Sequence, residues 1–548
     1  MNQAITLPHL TNDIVNSARK TRLCAYTVAL EGWRRGLTLK WYTKDSDHFK
    51  DMVVFGVNPP GRLFSLSSDT KTHYFFRTRG DKVTSEAVEI GSDKDLTKVW
   101  LEKSGVPIPK GFGFDETHSE DDIVEASKQL TYPVVLKPTN GSLGYGVVTN
   151  IQSEKQLRKT INYVRNHLEY VEVVLEEHKK GLEYRVYVIE DKVIAAYNRV
   201  PANIKGDGIH TIEELITLKN LERKKNARLH SCLIDIDIEI KEFLEKADYD
   251  FESIPPKGEK IYLREKTNVS SGGDPIDVTD EMPEHYKNVA IEAVKAIPGF
   301  NHGGVDIIVD DSKPLEESAV VIELNATAQI GGILYPLRGK ARDIPKAIVD
   351  YYFPETKDID TSKSKVYFDF LTAMEPLENR SAIEVQINEA PKGELIRKKY
   401  SLTGDVNRQS FHHAISIYAQ NNGIHGGINK NFNGEIDLIV GCDQKETLND
   451  FKKYIKGLTH LAKVEKINEE SWKEPIKVGF EINENFNVSK KESVNQALKR
   501  LRREHKKLTK EVYHLEKDNI NIVTSRSWKA SGLLRSAKNN LKKTIKKE

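Results

Sequence analysis

Val320–Gly332 reads VVIELNATAQIGG. An apolar run delivers Glu323 and Asn325 two residues apart, then breaks into small residues and paired glycines. Side chains alternate along a strand, so these two polar groups share a face. Upstream, GGVDIIV carries Asp306 in a second apolar run. If the two segments pair antiparallel, three oxygen-bearing side chains converge on one side of a sheet. Hard cations such as Mg2+ take oxygen ligands, and rigid strand ends hold such ligands well. One acid alone at such a place reads equally well as a solvated strand edge.

Lysines supply the counterpart. Lys137 lies inside the apolar run VVLKP, where an ammonium needs an anionic partner, and phosphate suits it. Lys94 offers a second point charge. The segment NGSLGYGV holds Gly141, Ser142, Gly144 and Gly146, whose backbone amides can fold over phosphates. Neither a P-loop nor a dinucleotide fingerprint is present, so a phosphate site here is of another kind. VVLEEHKKGLEYR places Glu176 and Glu183 around a short turn. One can accept from an adenine amino group and the other from ribose hydroxyls. Arg185 can reach a phosphate or an acyl phosphate. Singly, each of these reads as ordinary surface charge.

The 548 residues predict three or four domains. With 38% hydrophobic and 30% charged residues the composition suits a soluble protein, and no 18-residue apolar window or signal pattern is present. Cys24, Cys232 and Cys442 are far apart and match no metal spacing, which suits a reducing, cytoplasmic setting. Residues 490–548 hold 18 Lys/Arg and 6 Asp/Glu, a net +12, which against the overall +2 leaves −10 on the remainder. A basic tail on an acidic body fits an anionic polymer or the inner face of a membrane. No nucleic-acid reader module accompanies it, so no specific nucleic-acid partner is expected.

Periodicity sets out the units. CAYTVALEGWRRGLTLKWYT reads helix, stop at Gly36, strand; VVFGVNPPGRLFSLS and HYFFRTR add strands, giving a small α/β domain over 1–90. Alternating helices and strands fill 91–355, with a hairpin turning at Asp191. Polar TKDIDTSKSK marks a linker at 356–363, before a β-rich domain over 364–480. From 490 a polar helix carries Val494, Leu498, Leu501, Leu508, Val512 and Leu515 at heptad spacing: a short coiled coil that would allow oligomerisation, or a helix packed on its own domain.

In this order DKDLT, VVLKP, EEHKKGLEYR, GGVDIIV and VIELNA resemble an ATP-grasp carboxylate–amine ligase over 91–355. NRVPANIKGDGIHTIEELI, IYLREKTNVSSGGDPIDVTDE and ELNATAQIGG are similar to the ATP-grasp part of cyanophycin synthetases and bifunctional glutathione synthetases. The resemblance implies ATP between two α/β subdomains, with Lys94 and Lys137 on its phosphates. Glu176 and the hinge through Glu177 and His178 would hold adenine, and Glu183 the ribose. Asp306, Glu323 and Asn325 would bind two Mg2+ ions, with Mn2+ as a substitute. NGSLGYG would be a mobile lid. Arg185, Arg199, Arg264, Asn268, Ser271 and Gly272 would line the phosphate and acceptor region. No histidine base is assigned: His210 and His302 read as loop-surface residues.

From 399 onward, KKYSLTGDVNRQSFHHAISIYAQNNGIHGGINKNFNGEIDLIVGC resembles acylphosphatase, a sandwich of two helices on a four-stranded sheet. Two places depart from that family's pattern. His412 stands where the catalytic arginine is found, and Lys430 where the asparagine is. That implies a non-hydrolytic relative, either holding an anionic or acyl group through these residues or purely structural. The ending SRSWKASGLLRSAKNNLKK resembles the serine–tryptophan–leucine–arginine ending of bacterial capsule and wall-polysaccharide glycosyltransferases. Together these give an α/β chain: an ATP-grasp fold with a small N-terminal domain, an acylphosphatase-like sandwich and a basic C-terminal helix. The activity they imply is ligation of an amino acid or peptide amine to a carboxylate acceptor through an acyl phosphate, in cell-envelope polymer synthesis. The alternatives are a soluble peptide ligase or an inactive nucleotide-binding scaffold.

Overall fold

The computed structural model describes residues 4–140, 145–431 and 434–483. Helix Arg22–Arg34 is buried on nearly every side, as its almost unbroken run of apolar and small residues requires. Gly36 takes φ +84° and turns the chain into strand Thr38–Tyr42. This strand pairs with Leu63–Ser67, which pairs with Thr72–Phe76, all antiparallel. The strand expected in VVFGVNPPG does not form. Pro59 and Pro60 carry no N–H for a ladder, and residues 53–58 run as a loop.

The far edge of this sheet comes from much later in the chain. Glu384–Gln386 pairs antiparallel with Thr38–Tyr42. Residues 364–395, which the sequence assigns to the C-terminal sandwich, thus complete the N-terminal unit. The reason is a face in search of cover. Helix Phe370–Glu378 and the segment before it present Phe368, Phe370, Met374 and Leu377, all buried. Phe368 and Phe370 pack edge-on to Tyr26, with ring centroids 5.1 and 5.4 Å apart. Trp33 Nε1 donates to the Asn388 carbonyl at 2.6 Å. The expected linker is itself pinned where Thr361 Oγ1 donates to Glu31 at 2.7 Å.

Residues 91–355 build two antiparallel sheets. The first orders its strands Gly111–Phe114, Val173–Glu177, Val134–Pro138, Val148–Ile151. The second orders Asp274–Asp277, Lys192–Val200, Leu182–Ile189, His302–Val309, Ala319–Asn325. The hairpin turns at Glu190 and Asp191, with Glu190 at φ +53°. Helix Glu284–Lys295 covers one face of this sheet through Tyr286, Val289, Ala290, Ala293 and Val294. Between strands lies a module that periodicity did not separate. Helices Ile212–Arg223 and Ile238–Glu245, with the pair Asn203–Lys205 and Lys260–Tyr262, enclose their own apolar cluster.

The last unit is a five-stranded sheet ordered Lys463–Ser471, Ile396–Asp405, Ile436–Cys442, His425–Lys430, Phe480–Asn483, with helices Gln409–Asn421 and Lys445–Gly457 packed on it. Phe480–Asn483, parallel to His425–Lys430, is one strand more than the four expected. Val366–Tyr367 pairs with Ile476–Lys477 and ties this unit to the N-terminal one. The three cysteines are free and buried. Among the described residues no helix is long and apolar enough to cross a membrane.

His302 sits at the centre rather than on a surface loop. It is fully buried, with Nδ1 3.2 Å from the Tyr187 hydroxyl and Nε2 3.0 Å from that of Tyr352. Burial, then the charges of Arg79 and Lys82, pull its pKa from 6.5 down to about 3. The native ring is neutral and the unfolded ring takes up a proton below about 6.5. Its contribution is therefore fully present above that pH and is lost as pH falls toward about 3, by up to about 1.4 kcal/mol per pH unit. A His302→Gln variant should show a flatter decline of unfolding free energy over this window, measured by denaturant titration at stepped pH.

Candidate active site

Asp306 and Glu323 are direct partners across the ladder, and Gly304 is paired with Asn325. Since 304 and 306 share a face, so do Asp306, Glu323 and Asn325. Strand Leu182–Ile189 lies on the other side of Asp306 and places Arg185 opposite it. Arg185 grips Asp306 through two bonds of 2.6 Å, and Arg199 adds a third at 2.9 Å. Gly304 keeps this floor open: a Cβ there would lie 2.8 Å from that of Ala328 and 3.6 Å from Arg185 Cδ.

The two acids are held in opposite directions. Burial pushes both carboxyls upward. At Asp306 the neighbouring Arg185 and Arg199 outweigh burial and bring the net below the usual range. At Glu323 the charge of Asp306 adds to burial, and Lys94, Arg185 and Lys137 only partly offset it. Asn325 Nδ2 is buried with no hydrogen-bond partner among the described residues. Two carboxylates and the Asn325 side-chain oxygen, with Glu323 raised by burial and by Asp306, are oxygen ligands of the kind a hard divalent cation takes. Among the described residues no group of three His, Cys, Asp or Glu side chains could hold a metal ion.

The first sheet presents Lys137, and helix Lys94–Lys103 presents Lys94 and Lys98. Lys137 and Glu176 stand diagonally on neighbouring strands, both about 95% buried, with Nζ–Oε1 at 2.5 Å. Helix Lys94–Lys103 starts at the Asp93 cap, and Lys94 Nζ donates to the Thr139 carbonyl at 3.3 Å. One turn on, Lys98 reaches the other Glu176 oxygen at 3.3 Å. Sequence reasoning missed Lys98, although its i+4 spacing from Lys94 was a usable signal. Burial alone would raise the Glu176 carboxyl, but Lys137 and Lys98 outweigh it and hold the carboxyl below its usual range.

Residues 91–208 match the model of the RimK-like ATP-grasp domain. The chain carries an ATP-grasp domain. Residues 398–482 match the acylphosphatase model, so an acylphosphatase-like domain follows it. The cyanophycin synthetase of Crocosphaera subtropica is 34% identical over 276 residues, 49% of this chain and 31% of that protein. The glutathione biosynthesis bifunctional protein of Clostridium perfringens is 34% identical over 302 residues, 53% and 38% respectively. The chain thus spans about a third of the length of these relatives. A solved bifunctional glutathione synthetase from Pasteurella multocida, 29% identical, covers 54% of this chain and 41% of its own at a TM-score of 0.42.

Within the ATP-grasp domain the remaining expected residues divide. Glu183 joins the cluster, 2.6 Å from Arg199 and bonded to Thr267, a partner the sequence reading did not name. Asn268 accepts from Arg199 at 3.2 Å. Gly146 takes φ +74°, where a Cβ would meet Pro138 at 2.8 Å, so it closes on the end of the Lys137 strand. His178 lies at the hinge with Nδ1 buried and unpartnered. Glu177 alternates away from Glu176 and pairs with Lys179 at 2.7 Å. Arg264 is drawn into the inserted module by Asp237 at 2.7 Å and by Glu239, apart from the cluster's bonds. Gly141, Ser142 and Gly144 lie outside the described residues, as do the coiled-coil heptads and basic tail of 490–548. In the acylphosphatase-like domain His412 is buried, with Nε2 2.9 Å from the Val406 carbonyl.

The Glu176 contacts make a stability test. Lys137→Met leaves a buried carboxylate with one long contact and should cost about 3 kcal/mol. Lys137→Met with Glu176→Met should recover most of that loss, as read from denaturant midpoints of the four forms of the mutant cycle.

Proposed function

We propose that the chain is an ATP-dependent carboxylate–amine ligase that adds an amino acid or peptide amine to a carboxylate acceptor, in the making of a cell-envelope polymer. The observation that carries this reading is that Glu323, paired with Asp306 on one sheet, lies within reach of the charges of Lys137 on the other sheet and of Lys94 at the start of helix Lys94–Lys103. Acids for a cation and lysines for phosphates are what a phosphoryl-transfer cleft needs.

Asp306, Glu323 and Asn325 would hold Mg2+, which supplies charge neutralisation on the phosphates. Lys94 and Lys137 would bind the β- and γ-phosphate oxygens as point charges. Glu176 orients Lys137 and Lys98, and Glu183, now paired with Arg199 and Thr267, would accept from a ribose hydroxyl. An acceptor carboxylate oxygen attacks the γ-phosphorus, the bond to the bridging oxygen breaks, and ADP leaves. The amine nitrogen then attacks the acyl carbon, loses a proton, and phosphate departs. Arg185 and Arg199, once released from Asp306, can neutralise charge on the transferred group. No protein nucleophile is required. The envelope role is supported by the likeness of the C-terminal sequence to glycosyltransferase endings, and by its +12 charge, which suits a membrane's inner face.

His412 turned toward the Val406 carbonyl supports a non-hydrolytic reading of the acylphosphatase-like domain, since an acyl-phosphate hydrolase on the same chain would consume the ligase intermediate. Amine-dependent release of ADP from Mg-ATP should fall by at least ~100-fold in Glu323→Ala. Full turnover by that variant, assayed by coupled ADP release over a panel of amines and acceptors, overturns the assignment.

A further inference from the structure

Three arginines of the N-terminal unit, Arg62, Arg77 and Arg79, lie close to one another in sequence and in the fold. Arg62 donates to Thr21 Oγ1 at 3.1 and 2.9 Å, to the Asn58 carbonyl at 2.8 Å, and to the carbonyl of Gly56. Arg77, at φ +57°, lies over the rings of Phe55 and Phe76 at 5.4 and 5.0 Å, and its buried Nε has no partner. Arg79 is fully buried against Phe76 and bonds the Val53 carbonyl, with Nε and Nη1 unpartnered. Among the described residues none of the three has a carboxylate within salt-bridge distance. Arg22 stands near enough that it and Arg77 lower the Arg62 pKa after burial does. Like charges gathered in partly dry surroundings are costly unless an anion joins them.

Beside this cluster is a cavity of about 470 Å3, lined by Arg22, Thr43, Lys44, Asn58 and Arg380, with Asp45 and Glu378 on its wall. Glu378 is spent on Arg22 at 2.5 Å. Thr43 is 8% exposed, and among the described residues neither its Oγ1 nor Arg22 Nε has a hydrogen-bond partner. Two orphaned polar groups in a wall of net positive charge point to a missing anionic guest, and guanidinium forks match carboxylates in shape.

The cluster also touches the reacting end of the molecule. Between Arg77 and Arg79, Thr78 Oγ1 donates to the Ala328 carbonyl at 3.1 Å, in the segment that follows Asn325. Thr327 Oγ1 in that segment is buried and unpartnered. Resting on the ligase reading above, we infer that Arg62 and Arg77, with the cavity at Arg22 and Thr43, bind a second carboxylate of the acceptor, so the acceptor is an oligocarboxylate such as an acidic peptide.

Titration calorimetry on the full chain tests this with tri-L-glutamate and its neutral isostere tri-L-glutamine. A non-hydrolysable ATP analogue with Mg2+ is titrated in parallel. The wild type should prefer tri-glutamate by roughly tenfold or more. Arg62→Gln with Arg77→Gln should erase that preference and leave analogue affinity unchanged. Arg62→Lys with Arg77→Lys, keeping charge but not the fork, should fall between and guards against a folding defect. Equal binding of the two peptides by the wild type overturns the proposal, as does a preference that survives in the glutamine variant. Inorganic phosphate binding at the arginines without tri-glutamate binding overturns the carboxylate assignment. Failure of the wild type to bind the Mg analogue, with the peptide preference intact and arginine-dependent, sinks the ligase reading and leaves the anion site standing.

Discussion

Two carboxylates set side by chain-enforced side repel one another, and the ATP-grasp sheet is arranged around that fact. Asp306 and Glu323 are cross-strand partners in a register held on both flanks, by Arg185 opposite Asp306 and by Gly304 opposite Asn325. A one-residue slip would turn the acids into the apolar face that helix Glu284–Lys295 covers. The repulsion is not removed but divided: arginines satisfy Asp306, while Glu323 is left short. Asp306 has its counter-charges in direct contact, in Arg185 and Arg199, whereas burial and Asp306 raise the Glu323 carboxyl.

The Glu176 arrangement on the facing sheet obeys the same logic with signs reversed. Two lysines share one buried glutamate, so that wall is net positive, and Lys94 adds to it. A wall of that sign attracts anions, while across from it Glu323 is raised by burial and by Asp306.

Much of this was legible in the sequence, for physical reasons that differ by residue. The shared face of Glu323 and Asn325 followed from strand period, and the need of Lys137 for an anionic partner from its apolar run VVLKP, although the partner present is Glu176, which was expected on adenine, and not a phosphate. Both inferences used local rules that tertiary context did not override. Lys98 was hidden because an exposed-looking helix lysine carries no local sign of its partner. Arg264 misled because its captor, the inserted module, had no periodic signature of its own, so nothing in the sequence announced Asp237 and Glu239 as competitors. The boundary at 364 misled for the opposite reason. TKDIDTSKSK looks like a tether by composition, yet Thr361 is held by Glu31 and Phe368 by Tyr26, contacts over 300 residues distant in the chain.

That return of the chain has a practical side. Because Glu384–Gln386 forms the outermost strand beside Thr38–Tyr42, the first compact body of the molecule is discontinuous: it is woven from the beginning of the polypeptide and from a stretch beyond residue 363. A shortened protein ending at the apparent tether would leave Thr38–Tyr42 with a bare row of amides and carbonyls, an invitation to intermolecular strand addition. The natural place to sever the sandwich is after residue 395, where its own sheet begins. There too a second seam, Val366–Tyr367 against Ile476–Lys477, must be given up, so the sandwich is buttoned on at both ends and does not hang from a single thread.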